Sequence, residues 1–141
     1  MNNLDTTYDS LDDLLVDEDV YTEGRWVQPD PDRPLKIKTK GYPDAYTNAS
    51  ASMQREAAKG FNYDTDRLKA THRRNINVKC LIKHSLVDVK GCTIGGRDLS
   101  FEEFCALIQE KRGQKLLGLA FMAANMATEA QKEEDEVAEG N

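Results

Sequence analysis

The stretch His84–Phe104, "HSLVDVKGCTIGGRDLSFEEF", holds the reading on which the fold turns. An apolar run leads to Asp88, glycines follow at 91, 95 and 96, and Ser100 opens a new apolar segment. Ser100 and Glu103 stand three apart, the spacing of a capping box, in which each side chain satisfies a backbone N–H left over at a helix start. Leu99 before the cap and Phe104 after it occupy the two positions of a hydrophobic staple. A helix over about Phe101–Lys111 is therefore expected, broken by Gly113. The glycines lack the Gly-x-x-x-x-Gly-Lys-Ser/Thr spacing of a phosphate loop. Their expected role is to supply positive-φ turn positions, so the stretch reads as a connector that delivers a capped helix and carries no chemistry.

Downstream, a second helix is expected over about Gln114–Gln131. Leu116, Leu119, Ala120, Ala123, Ala127 and Ala130 form one stripe, with Leu117, Phe121, Met122 and Met126 beside it. That is more apolar surface than one core-facing stripe uses, so a second contact surface is expected there. Upstream, the spacing predicts a helix over about Asp66–Val87, capped by Asp64 or Thr65. Between residues 76 and 83 the pattern also fits a strand, because Ile76, Val78, Cys80 and Ile82 alternate. Tyr46, Ala49, Met53 and Ala57 recur at helical spacing after Pro43, giving a helix over about Pro43–Lys59 that ends at Gly60.

Before it lies a predicted β-hairpin. Arg25–Gln28 is one strand, and Pro29-Asp30-Pro31-Asp32 is a strong turn signal. In Leu35–Lys40 the residues Leu35, Ile37 and Thr39 share one face, while Lys36, Lys38 and Lys40 share the other. The expected fold is α+β and mostly helical: an N-terminal hairpin, then about four helices, with acidic flexible termini. The expected division is an acidic arm over 1–23, one domain over 24–131, and an acidic tail over 132–141.

Charge follows that division. The 141-residue chain has a net charge of −6, yet residues 1–24 carry eight acids and no base, and residues 132–141 carry five acids against Lys132. The segment between them is left at +6. Such a body suggests nucleic acid through Lys36, Lys38, Lys40, Arg73, Arg74, Lys79 and Lys83. No aromatic side chains are interleaved for base stacking, however, and the acidic arms would compete for that surface. A nucleic-acid partner is accordingly disfavoured. No apolar run approaches the roughly 20 residues of a membrane helix, and the first residues lack a secretory pattern, so a cytosolic product is expected.

Catalytic and metal chemistry find little support. The three cysteines have no C-x-x-C spacing, and Cys80, His84, Cys92 and Cys105 match no zinc-site spacing beyond the pair Cys80 and His84. Neither His72 nor His84 has a nameable activating partner for a nucleophile. Asp12-Asp13 and Glu102-Glu103 point to different faces and serve solvation and capping. The expectation is no enzyme, no metal and no cofactor, with the thiols as small core residues.

The order of segments resembles a known family. "GRW" at Gly24–Trp26, "LKIKTKGYPDAY" at Leu35–Tyr46, "LIKHSLVDVKG" at Leu81–Gly91, "GRDLSFEEFCALI" at Gly96–Ile108 and "KLLGLAFMAANMATEA" at Lys115–Ala130 together are similar to the tail assembly chaperones of long-tailed, siphovirus-type bacteriophages. The resemblance covers about Gly24–Ala130. It implies a non-enzymatic protein of the bacterial host cytoplasm that coats the aggregation-prone tape-measure protein while tail-tube subunits assemble around it. The tape-measure protein and the tail tube protein are then the implied partners, and homo-oligomerisation stays open. The residues expected to meet the client are Leu117, Phe121, Met122, Met126 and Trp26. Two other functions fit the same residues. One is a structural virion component (a head–tail adaptor, or a tail or capsid-decorating subunit); the other is a small nucleic-acid-binding regulatory protein.

Overall fold

The computed structural model describes residues 23–139, and the acidic arm expected over 1–23 lies almost wholly outside them. The hairpin forms as the alternation requires. Strand β1 (Arg25–Val27) pairs antiparallel with β2 (Lys36–Thr39), with Trp26 opposite Lys38 and Val27 opposite Ile37. Between them, the Asp30 carboxylate accepts the Asp32 N–H at 3.0 Å and its backbone carbonyl accepts the Arg33 N–H at 3.1 Å. This is how an Asp side chain stands in for backbone in a tight turn. Leu35, Ile37 and Thr39 are buried, as their shared face predicts.

Helix α1 (Asp44–Ala57) starts behind Pro43, whose missing N–H is no loss at a helix start, and tightens into a 3-10 turn over Ala58–Phe61. Asp64 caps the next 3-10 turn, Thr65–Arg67, by accepting the Asp66 N–H at 3.1 Å. Helix α2 (Ala70–Cys80) follows, and Leu81–Ser85 widens into a π-type turn. The ambiguous span 76–83 is thus helical. The helix expected to reach Val87 does not: Leu86–Lys90 is a strand, β3, paired antiparallel with β2 and completing a sheet of order β1-β2-β3. β-Branched Val87 and Val89 suit a pleated surface, and β2 offers them an open edge. Ile37 faces Val89 and Lys38 faces Asp88, but Thr39 faces Leu86, so Val87 is the extra residue of a bulge.

A ring of hydrogen bonds holds this helix-to-strand change. The Gly41 N–H donates to Thr39 Oγ1 at 3.0 Å, and Ser85 Oγ donates to the Gly41 carbonyl at 2.6 Å. The Thr39 and Ser85 hydroxyls are 2.8 Å apart, and since Ser85 has spent its proton on the carbonyl, Thr39 must donate. Both side chains are buried. Gly41 has φ +75°, and a Cβ there would lie 2.5 Å from Thr128 Oγ1, so only glycine lets this corner close.

The glycine cluster proves to be a turn, as expected. Gly95 and Gly96, both at positive φ, join β4 (Thr93–Ile94) to β5 (Arg97–Asp98) in a two-residue hairpin. Helix α3 (Phe101–Ile108) then opens on the expected capping box: Glu103 N–H donates to Ser100 Oγ at 3.2 Å, and Ser100 N–H to Glu103 Oε1 at 3.0 Å. It ends earlier than Lys111, where a 3-10 turn, Lys111–Gly113, leads into α4 (Gln114–Ala138). Helix α4 runs seven residues past Gln131, through most of the stretch read as an acidic tail. The Arg25 guanidinium holds that extension, bonding Glu134 at 2.7 Å and Gln131 at 2.9 Å.

The core lies between the inner face of the three-stranded sheet and helices α2, α3 and α4. Ile37, Leu81, Phe104, Ile108 and Leu117 are its largest wholly buried apolar side chains. The buried stripe of α4 is Leu117, Ala120, Ala123, Ala124 and Ala127, turned part of a turn from the expected one. Leu116, Leu119 and Ala130 are only half-buried along its edge.

Candidate client-binding surface

Of the five residues expected to meet a client, four fall on three different surfaces and one lies in the core. Leu117 is wholly buried, so its assignment to a partner is corrected: it is the central core residue of α4. The alanines that follow it at helical spacing let the helix lie close against the sheet, and that approach swallows the leucine. Met122 and Met126 lie one turn apart on the opposite side of α4, 47% and 42% exposed. Those fractions decide the matter, since neither thioether helps fill the core. Phe121 is half-buried on the flank of α4 facing α2. Trp26 lies on the outer face of the sheet, on the side away from α4. The structure brings Phe121, Met122 and Met126 together along one helix and leaves Trp26 apart.

Beside Phe121 an open groove of about 720 Å³ runs between α2 and α4. Phe121 and Gly118 line its α4 wall, and Ala70, Arg73, Arg74 and Asn77 line its α2 wall. Gly118 has nothing within 4 Å of where a Cβ would sit, so its missing side chain leaves the groove open. Arg73 is anchored by a bond from its guanidinium to the Leu68 carbonyl at 3.1 Å. The Phe121 carbonyl accepts a bond from the Tyr42 hydroxyl at 3.3 Å, while the Tyr42 N–H donates to Thr128 Oγ1 at 3.0 Å. Those bonds fix this flank of α4 to the turn that precedes α1. Burial, with Tyr46 adding to it, pushes the Tyr42 phenol up to about 12.

The resulting surface is an apolar ridge of two flexible thioethers beside a groove with an aromatic wall and a basic rim. Val137 extends exposed apolar area along α4, in the region read as tail. Sequence reading named Arg73 and Arg74 as basic residues without placing them near Phe121. Gly118, a glycine inside an alanine-rich helix, is the sequence signal for the groove.

Among the described residues, no group of three or more His, Cys, Asp or Glu side chains could hold a metal. Cys80, Cys92 and Cys105 are free, buried thiols, and burial pushes each up from its ordinary range, Cys105 to about 11. A raised thiol is a poor nucleophile. No helix is long and apolar enough to cross a membrane, again among the described residues. No protein-family model matches the chain, and neither a curated protein nor a solved structure matches it.

Proposed function

We propose that this protein is a non-enzymatic tail assembly chaperone of a long-tailed bacteriophage, acting in the bacterial host cytoplasm. It binds helical segments of the tape-measure protein and keeps them soluble until tail tube protein encloses them. One observation carries the reading: α4 buries one face completely and still presents Met122 and Met126 to solvent beside the Phe121 groove. A client that is long, helical and repetitive needs a surface that accepts many similar sequences, and methionine provides adaptable packing because its chain is unbranched and its sulfur polarisable. An amphipathic helix laid on this ridge places its apolar stripe against the thioethers. Acidic residues on the flank of that helix meet Arg73 and Arg74. Covering the exposed part of each methionine contributes about 1 kcal/mol, taking about half the value for full burial, so affinity comes from many weak contacts along a long client.

Co-expression with the tape-measure protein of the same phage tests this. The wild-type protein should move the client from the insoluble to the soluble fraction. The double variant Met122→Glu/Met126→Glu should fail to do so while keeping its circular dichroism spectrum and thermal midpoint. A client that stays insoluble with wild type, or is rescued equally by the variant, refutes the proposal.

A further inference from the structure

The sheet has a second face that none of the described residues covers. Trp26 of β1, Lys36 and Lys38 of β2, and Asp88 and Lys90 of β3 point outward, with Trp26 opposite Lys38 and Lys36 opposite Lys90. The Lys90 ammonium lies 4.1 Å from the centroid of the Trp26 ring. This face therefore sets three lysines and one indole against a single carboxylate, and none of the three lysines forms an ion pair with another described residue. Like charges on adjacent strands destabilise their pairing, so the arrangement asks for an anionic cover.

The chain carries one. Residues 1–22 hold seven acids and no base, together with Leu11, Leu14, Leu15 and Val20. They join the body at Gly24, which packs so closely on the end of β2 that a Cβ would meet the Thr39 carbonyl carbon and oxygen at 2.8 Å. The acidic segment thus leaves the body at the end of β2, the strand that carries Lys36 and Lys38. We propose that residues 1–22 dock on the outer sheet face, carboxylates against Lys36, Lys38 and Lys90, and leucines over the Trp26 indole. Reach is ample: the 13 residues from Leu11 to Glu23 span up to about 40 Å extended, against about 13 Å for a four-residue strand. Tethering decides the occupant. A segment on a short linker competes at an effective concentration on the order of millimolar, and a free nucleic acid, the other polyanion that suits lysines around an indole, must displace it.

Trp26 is the chain's single tryptophan, so its fluorescence reads this face directly. The experiment is acrylamide quenching of the full-length protein in about 20 mM and in about 1 M NaCl, where the screening length falls to about 3 Å. A variant with Asp12, Asp13, Asp17, Glu18 and Asp19 changed to the matching amides is run beside it. The wild-type quenching constant should rise at least twofold with salt, at every protein concentration. The variant should start at the high value and ignore salt. Equal constants for the two proteins at low salt would overturn the proposal, and a wild-type constant that rises on dilution would assign the cover to a second copy instead. As a parallel readout, a 20-nucleotide single strand at low salt should bind the variant at least tenfold more tightly than wild type. Equal binding by both would mean that the face stands open to nucleic acid.

Discussion

Ser85→Ala removes one oxygen from the ring that joins Thr39, Gly41 and Ser85, and its effect can be worked out partner by partner. The Gly41 carbonyl loses its 2.6 Å donor, and the Thr39 hydroxyl loses its 2.8 Å acceptor. Both losses occur where Thr39 and Ser85 are at most 1% exposed, so water does not replace the missing atom. A buried polar group left without its partner costs about 1–3 kcal/mol, and the expected destabilisation is about 3 kcal/mol. Thr39→Val keeps the shape, frees the Gly41 N–H and takes the proton from Ser85, for about 2 kcal/mol by the same accounting. The double variant leaves only the two backbone groups of Gly41 unpaired. It should therefore lose about 1–2 kcal/mol less than the sum of the single variants, a coupling of the size that contacting residues show. Urea unfolding followed by circular dichroism measures all three. With a slope of about 1.5 kcal/mol/M, Ser85→Ala should lower the midpoint by about 2 M. Losses below about 0.5 kcal/mol, or single effects that add within about 0.3 kcal/mol, would refute the ring as the device that turns α2 into β3.

Other outcomes follow from single features. Ser100→Ala should cost about 1 kcal/mol by urea unfolding, the usual worth of an N-cap hydroxyl. Bonds from the Ser100 backbone and from Arg97 hold the Glu103 carboxyl below its usual range. That stabilisation is present above the unfolded value of 4.5 and is lost as pH falls through the folded one. Glu103→Gln should accordingly show a smaller loss of thermal midpoint between pH 5 and pH 3 than wild type. On the alkaline side, Cys105 is raised from 9.0 to about 11 and Tyr42 from 10.0 to about 12. Stability from these groups is present below the unfolded values and is lost as pH rises through the folded ones, over pH 9–11 and 10–12. Tyr42→Phe should remove the later component of that loss in a pH series of urea midpoints. The three buried thiols should react with a disulfide reagent at neutral pH only after denaturant is added, and fast labelling of the native protein would contradict their burial.

What the sequence made legible was what local chemistry decides. The capping box at Ser100 and Glu103, the Asp30 turn and the alternation of Leu35–Lys40 each depend on residues within a few positions of one another. The structure places all three as expected. Strand β3 was hidden because its partner β2 lies about fifty residues earlier, and no glycine or proline marks the change at Ser85. A helical pattern could run through Val87 only while that open edge was out of view. On α4, apolar residues at 116, 117 and 119–124 allow several stripes, and periodicity alone chose one centred near Leu119. The sheet packs against the side of Leu117 and the alanines, so the helix sits rotated and Leu117 moves from surface to core. The acidic residues 133–136 read as tail because like charges in a row suggest solvation. The Arg25 clamp on Glu134 comes from a strand more than a hundred residues away.

The outward face of α4 is where a client must bind, and methionine methyl NMR views it one residue at a time. Met53 on α1 is an internal control, with 37% exposure and no place in the proposed surface. In a titration of the full-length protein with a synthetic amphipathic helix cut from the tape-measure protein, the Met122 and Met126 methyl signals should shift or broaden together, while Met53 stays in place. Unmoved Met122 and Met126 signals at saturating peptide, or shifts confined to Met53, would contradict it.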